Sequence, residues 1–371
     1  VENRLFIRSL ELRDFRNYSR LELDFSDGLN GIFGLNGAGK TNILDALHYI
    51  CTTRSYFSHT DQFNFRHHCE AMELNGSIQL KDRIQQISVK VVKGRKKDVQ
   101  VNRVKESKLS DFIGRFPVVM IAPGDIDIIN GGSEERRKLL DTGICQYDPV
   151  YTDTLVQYNK VLANRNALLK QMDDKGYLDE VLLQTFDDML VSYGTAIHAQ
   201  RKIFLDQYSK YLEDAYAAIS GDKEKAGLVY QSHLSDGEYF SLLKRSREKD
   251  RILNRTTKGV HLDDLELLLD GHPLKKVGSQ GQQKTFVVAL KLALHTLLKD
   301  RKYLYPVLLL DDIFEKFDQE RLKMLFSHLG RIPSVQVFIT DTDENRLREV
   351  LEHSGRSYKM IKVENGSASE F

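Results

Sequence analysis

The stretch Gly34-Leu35-Asn36-Gly37-Ala38-Gly39-Lys40-Thr41 constrains this chain more than any other. It has the spacing G-x-x-x-x-G-K-T, a P-loop whose backbone N–H groups turn inward on a phosphate. Before it, Leu29 to Phe33 reads as a short apolar strand; after it, Ile43, Leu44, Leu47 and Ile50 fall at helical spacing. Strand, glycine turn and helix start are the context such a loop needs. Glycines reach backbone conformations closed to other residues, and the helix N-terminus favours an anion. Residues Gly34 to Asn42 then cradle ATP, with Lys40 on the β- and γ-phosphates and Thr41 on Mg²⁺.

A P-loop needs a second element, and Val307-Leu308-Leu309-Leu310-Asp311-Asp312 supplies it: an apolar strand ending in two carboxylates. Asp311 is expected to reach the metal ion, directly or through water, from a strand beside the P-loop. Asp312 is expected to orient or polarise the attacking water. Upstream, Ser279-Gln280-Gly281-Gln282-Gln283-Lys284 precedes an apolar helix from Val287 to Leu298. It resembles the signature motif of ABC-type ATPases, where a helix N-terminus captures the γ-phosphate held by a partner subunit. The bland reading is a serine N-cap. Asp318 matches the aspartate that crosses the same interface in that group, and Thr340, at the end of a strand over Val335 to Thr340, sits where it places a γ-phosphate sensor.

Composition sets the frame. At 371 residues the chain is long for one core, so two lobes are expected. Net charge is +1, so any attraction to DNA must come from local patches. Two stand out: a hairpin with Lys90, Lys93, Arg95, Lys96, Lys97 and Arg103, and the run Lys244, Arg245, Lys249, Arg251, Arg255 and Lys258 with Arg247. Either is a solvated edge or a DNA contact. The three cysteines lack framework spacing, and His67-His68-Cys69 reads as a loop with a free thiol. No apolar run reaches membrane-spanning length, and Arg4 and Arg8 interrupt the first hydrophobic segment, so a cytoplasmic protein with no membrane partner is expected.

From Tyr151 the pattern becomes helical. Leu155, Leu162 and Leu169 recur at seven, then Leu190, Ile197, Phe204 and Tyr211, which predicts two antiparallel helices joined by a turn at Asp173 to Gly176. Ser133 is expected to cap the helix that follows it, and residues 365 to 371 to fray. The predicted fold is α/β: an ABC-type ATPase head with mixed sheets, built from residues 1–116 and 265–371, interrupted by a mainly helical arm domain over 117–264. Gly34 and Ser279 bracket that insertion. Interrupting the head is the plan of the SMC/Rad50 group and argues against a transporter's ATP-driving subunit.

The chain resembles the RecF family of bacterial recombinational-repair ATPases nearly end to end. The resemblance rests on Leu12-Arg13-Asp14-Phe15-Arg16-Asn17-Tyr18, the P-loop, Gly114-Arg115-Phe116-Pro117, Pro123-Gly124-Asp125 and Arg136 to Asp141. Tyr158-Asn159-Lys160, Arg165 to Leu169, Ser279 to Lys284 and Leu308 to Asp312 complete it. It departs at Val260 and Leu262, where the family usually has proline and arginine, at Lys284 in place of arginine, and at Phe314 to Phe317. The resemblance implies an ATP-dependent homodimer that grips duplex DNA near single-strand gaps, is released by slow hydrolysis, and helps RecR and RecO load RecA. The alternative is the ATPase component of another SMC/Rad50-like DNA-processing complex, such as a nuclease system.

Overall fold

A computed structural model describes residues 4–175, 179–221, 224–313, 319–330 and 334–371. The chain divides into two compact units: Val1–Ile126 with Asp214–Glu224 and Ser279–Phe371, and Asp127–Glu213 with Lys225–Gly278. The expected cuts after 116 and before 265 are therefore displaced. Residues 117–126 belong to the first unit because the strand Val118–Ile121 pairs with Val307–Leu310. Residues 265–278 belong to the second because Asp264–Leu269 pairs with Ala226–Gln231.

The first unit holds two sheets. One contains β1 (Leu5–Phe15), β2 (Tyr18–Asp24), β4 (Ala71–Leu80), β5 (Arg83–Val92), β6 (Asp98–Val101) and β7 (Val104–Lys105). Its order, β2-β1-β4-β5-β6-β7, is antiparallel throughout. Alternation explains it: Leu21 and Leu23 are buried while Glu22 and Asp24 are exposed, so one face packs inward and the other meets water. The other sheet contains β3 (Leu29–Phe33), β8 (Val118–Ile121), β12 (Val307–Leu310), β13 (Val337–Asp341), β14 (Tyr358–Glu364) and β15 (Ser367–Glu370). Its order is β15-β14-β3-β13-β12-β8, with every pair but the β14–β15 hairpin parallel. Its central strands β3, β12 and β13 are buried at every residue, as a parallel sheet covered on both faces requires.

The helices of this unit are α1 (Lys40–Thr52), the short α2 (Leu109–Phe112), α9 (Gln280–Lys302), α10 (Gln319–Gly330) and α11 (Glu344–His353). The final residues do not fray. Asn365 and Gly366 both take positive φ, 47° and 76°, and close a two-residue hairpin between Glu364 and Ser367. Phe371 then packs edge-on against Phe33, ring centroids 5.2 Å apart. The Asn-Gly pair is the sequence signal for this turn.

The second unit is built from α3 (Asp127–Asn130), α4 (Ser133–Cys145), α5 (Pro149–Lys175), most of α6 (Glu180–Ser220), α7 (Tyr239–Leu253), α8 (Leu274–Val277) and a sheet of β9 (Ala226–Gln231), β10 (Asp264–Leu269) and β11 (His272–Pro273). Ser133 is the first residue of α4 rather than its cap: Gly132 holds that position, and the Ser133 hydroxyl accepts from Arg137. Helix α5 runs through Lys175, past the expected turn at Asp173; Gly176 lies outside the described residues. Arg165 meets Asp187 and Tyr151 meets Arg201, so α5 and α6 run antiparallel. The seam on α5 is Tyr151, Tyr158, Val161, Arg165 and Leu169, leaving Leu155 and Leu162 half-buried. On α6, Leu190, Ile197 and Phe204 are buried as expected, but Tyr208 and Leu212 replace Tyr211. A period of 3.6 drifts off a strict seven within three turns.

That seam contains two fully buried arginines. Arg165 donates to Asp187 at 2.7 Å, Asp250 at 2.8 Å and the Thr256 hydroxyl at 2.9 Å. Arg201 donates to Asp141 at 2.9 Å, Asp263 at 2.7 Å and the Val260 carbonyl at 2.8 Å. The segment Thr256 to Asp264 thus folds back onto the long helices, giving Arg165 a hydroxyl acceptor and Arg201 a carboxylate, while Asp187 and Asp250 balance the charge of Arg165. Removing one partner of such a buried pair strands an uncompensated charge.

Candidate nucleotide site and nucleic-acid surfaces

Helix α1 starts directly from the P-loop. Gly34, Gly37 and Gly39 all take positive φ (156°, 79° and 118°). A Cβ on Gly34 would lie 2.2 Å from the Val363 carbonyl oxygen, and one on Gly39 2.5 Å from Asn17 Nδ2, so both positions need glycine for space as well as conformation. Gly39 caps α1 without a side chain, leaving the N–H groups at the helix start for a ligand. Three side chains brace the loop from behind. Asn17 Nδ2 donates to the Ala38 carbonyl at 3.0 Å, the Tyr18 hydroxyl to that of Gly39 at 3.1 Å, and Asn42 Nδ2 to Asn17 Oδ1 at 2.8 Å. Leu35, Asn36 and Gly37 are exposed and Ala38 is buried. The Lys40 ammonium is buried against the loop and donates to the carbonyls of Gly34 at 2.8 Å and Leu35 at 3.1 Å.

The strand ending in Asp311 and Asp312 does not lie beside the P-loop strand. β13 runs between them, so Thr340 at its end stands between the loop and the two carboxylates. Thr41 Oγ1 donates to the Asp311 carboxylate, 3.0 Å from each oxygen. Thr340 Oγ1 donates to Asp311 Oδ1 at 2.9 Å and accepts from the Asp312 amide at 2.9 Å. Asp312 itself has φ 44°, a left-handed conformation that aspartate tolerates better than most residues. Thr340 is fully buried. Its hydroxyl bonds to both aspartates, at the end of the strand that pairs with the P-loop strand. Thr41 and Asp311 form a hard-oxygen pair of the kind that fits Mg²⁺.

Ser279, Gln280 and Gly281 sit at the start of α9, with Ser279 and Gln280 exposed and Gly281 half-buried. Ser279 does cap the helix. Its Oγ accepts from the Gln282 amide at 3.3 Å, and its own N–H donates to Gln282 Oε1 at 2.7 Å, a reciprocal capping box. The hydroxyl keeps its proton for another acceptor. The Arg321 guanidinium lies against Gly281, placed so that an added Cβ would come 2.9 Å from Nη1. Sequence spacing holds no hint of that cation. Asp318 and Phe314 to Phe317 lie outside the described residues.

Other contacts are equally hidden in the sequence. Lys291 of α9 donates to Tyr56 at 2.7 Å and pairs with Asp125 at 3.1 Å, tying α9 to the loop after α1 and to the segment after β8. Asp341 is buried and held by Arg346. Beside Asn17 and Asn42 opens a cavity of about 550 Å³, also lined by Arg16, Phe63, Arg66 and His67.

The two basic stretches separate once their partners are known. In the hairpin, Lys97 is withdrawn: it pairs with Asp61 at 2.9 Å, donates to the Thr53 carbonyl and lies over the Tyr49 ring, and burial lowers its pKa. Lys93 faces Glu70 at 3.8 Å. On α7, Arg247 is structural, bonded to Asp187 and Gln184. Lys244, Arg245, Lys249 and Arg251 on α7, and Arg255 just after it, have no ion-pair partner among the described residues. No helix among the described residues is long and apolar enough to cross a membrane.

Residues 6–369 match the family described as the RecF/RecN/SMC N terminal domain. The chain is 37% identical over 367 residues to the DNA replication and repair protein RecF of Bacteroides fragilis strain YCH46, covering 99% of this chain and 98% of that one. To the protein of the same name from Flavobacterium johnsoniae it is 38% identical, covering 97% and 100%. Among solved structures it is similar to the recombination mediator protein RecF-ATP of the RecFOR pathway, with a TM-score of 0.90, 28% identity, and coverage of 100% and 99%. The Smc head domain from Pyrococcus furiosus, at TM-score 0.58 and 16% identity, shares the fold.

Proposed function

This chain belongs to the RecF family of DNA replication and repair proteins, and from that premise we propose that it is an ATP-gated DNA clamp. In this reading two copies close on two ATP molecules, each held by the P-loop of one copy and the Ser279–Gly281 corner of the other. The closed dimer grips duplex DNA near single-strand gaps, and slow hydrolysis opens it. RecR and RecO are its partners in loading RecA. The observation that carries the reading is the meeting of Thr41 with both oxygens of Asp311 at 3.0 Å, at the foot of a glycine loop built to hold phosphate.

The residues support a division of labour. Lys40 exchanges two neutral carbonyl acceptors for phosphate oxygens, a stronger charge-assisted pairing. Mg²⁺ held by Thr41 and Asp311 would neutralise charge between the phosphates. Asp312 orients the attacking water. Its carboxylate is one methylene shorter than glutamate and springs from a backbone fixed by Thr340, so it reaches less far and turnover is slow. The Ser279 hydroxyl and the α9 N-terminus meet the other copy's γ-phosphate, with Arg321 alongside. We assign the DNA backbone to the α7 face rather than the β5–β6 hairpin, because among the described residues only Arg247 of its cations is ion-paired, against Lys93 and Lys97 on the hairpin.

Sedimentation tests the core of this reading. The chain with ATP and Mg²⁺ is expected to pass from monomer to dimer. Ser279→Arg abolishes the dimer while nucleotide still binds, and Lys40→Ala loses both. A Ser279→Arg protein that dimerises normally refutes the composite site.

A further inference from the structure

We propose that Glu224 is a positioning residue for the Ser279–Gly281 corner, holding it in the geometry that a second copy's triphosphate meets; this rests on the composite-site reading above. Glu224 lies 55 residues before Ser279 in the sequence (279 − 224), outside the motifs on which the family resemblance rests. It belongs to the same compact unit as α9.

One amide connects Glu224 to the corner. Gln282 faces two partners: its Oε1 accepts from the Ser279 N–H at 2.7 Å, and its Nε2 donates to Glu224 Oε1 at 2.5 Å. An amide side chain presents nearly the same shape in either orientation, and only its neighbours choose between them. A carboxylate accepts and cannot donate, so Glu224 forces the NH₂ group toward itself and the oxygen toward Ser279. With the amide reversed, two N–H groups would confront each other at Ser279 and two oxygens at Glu224. The capping box therefore depends on a residue outside it.

Glu224 is itself held. Its other oxygen accepts from the Tyr216 hydroxyl at 2.6 Å. Tyr216, on the last turns of α6, is buried, and its ring centroid lies 5.7 Å from that of Phe286 near the start of α9. Tyr216 thus fixes α9 by packing and fixes Glu224 by a hydrogen bond. Ser279 is exposed, so packing does not hold it, and this relay of hydrogen bonds sets its backbone and the direction of the first N–H groups of α9. Preorganised donors act only where the charge arrives, so a loosened corner weakens capture in trans and leaves the P-loop of the same copy untouched.

The test compares Glu224→Ala, Glu224→Gln and Ser279→Arg in the full chain. Three measurements are needed: equilibrium binding of a fluorescent ATP analogue to the monomer, the ATP concentration giving half-maximal dimer by sedimentation, and the thermal midpoint without nucleotide. Glu224→Ala is expected to leave monomer binding and the midpoint near the parent's and raise the half-maximal ATP by about tenfold, the loss of one charge-assisted bond. Glu224→Gln, which can still accept from Gln282, recovers most of that loss. If Ser279→Arg blocks dimerisation and Glu224→Ala does not weaken it, the assignment of Glu224 is wrong while the composite site stands. If Glu224→Ala lowers monomer binding or the midpoint in step with dimerisation, the residue is merely structural and the proposal fails. Normal dimerisation by Ser279→Arg removes the composite site, and the proposal with it.

Discussion

The Thr340 hydroxyl lies 2.9 Å from the Asp312 amide nitrogen and turns its proton to Asp311, so one side chain sets both carboxylates at the end of β12. Thr340→Val keeps the shape and removes both bonds, taking this acceptor from the part-buried Asp312 N–H at a cost of about 1 kcal/mol. We expect single-turnover hydrolysis to fall by at least tenfold while ATP affinity changes little. Thr340→Ser should restore most of the rate. Equal losses in affinity and rate for the valine variant would mean that Thr340 touches the nucleotide after all.

Asp312→Glu is expected to raise turnover, because the longer carboxylate reaches the attacking water from the same backbone. A steady-state ATPase assay of the dimer checks this. Unchanged or lower turnover would place the slow step elsewhere.

On α7, reversing Lys244, Arg245, Lys249 and Arg251 to glutamate should weaken duplex binding and flatten its salt dependence by about 0.9 in log–log slope for each phosphate left without its cation. Reversal of Lys93, Arg95 and Lys96 on the hairpin serves as the comparison. A larger slope change from the hairpin set would move the DNA surface there.

Arg165→Met leaves the Asp250 carboxylate buried beside an apolar side chain, and destabilisation of about 3–5 kcal/mol is expected. Urea unfolding followed on the helical signal measures it. Adding Asp250→Asn should return part of the loss, since the stranded charge goes with it.

His261 gives the second unit a pH dependence. Its Nδ1 faces the Tyr158 hydroxyl at 2.8 Å and its Nε2 the Thr256 carbonyl at 3.1 Å; Arg137, Asp263 and His233 act on it at longer range. Burial pushes its pKa down to about 4, from 6.5 in the unfolded chain. The unfolded state then binds the extra proton between those values, so stability is full above pH 6.5 and is lost as pH falls toward 4. The loss amounts to about 3 kcal/mol at most, on roughly 1.36 kcal/mol for each pH unit. His198 and His233, also lowered by burial, act in the same direction. Thermal unfolding from pH 8 to pH 4 should show this fall, and His261→Gln should reduce its steepness.

Much of the site is legible without coordinates because its signals are local. A glycine loop between an apolar strand and a helix, and a buried strand ending in two aspartates, are fixed by backbone conformation and burial within a short stretch of chain. Ser279 is legible as a helix cap for the same reason: its partner Gln282 lies on the same helical turn. The Asn365-Gly366 hairpin is equally local, although small polar composition reads there as a loose end.

What tertiary structure alone decided is which distant groups meet. No periodicity could place β13 between β3 and β12, so the hydrogen bonds that join Thr340 to Asp311 and Asp312 are invisible in the sequence. Arg165 and Arg201 sit on helix faces where a seven-residue pattern expects apolar side chains. The carboxylates that make their burial tolerable come from Asp141, Asp187, Asp250 and the returning segment Thr256 to Asp264, all remote in the chain. Glu224 and Arg321 gain their neighbours at α9 through the folding of separate segments. Chain pattern records what each residue does to its own strand or helix; pairing energies between remote residues depend on distances that exist only after folding.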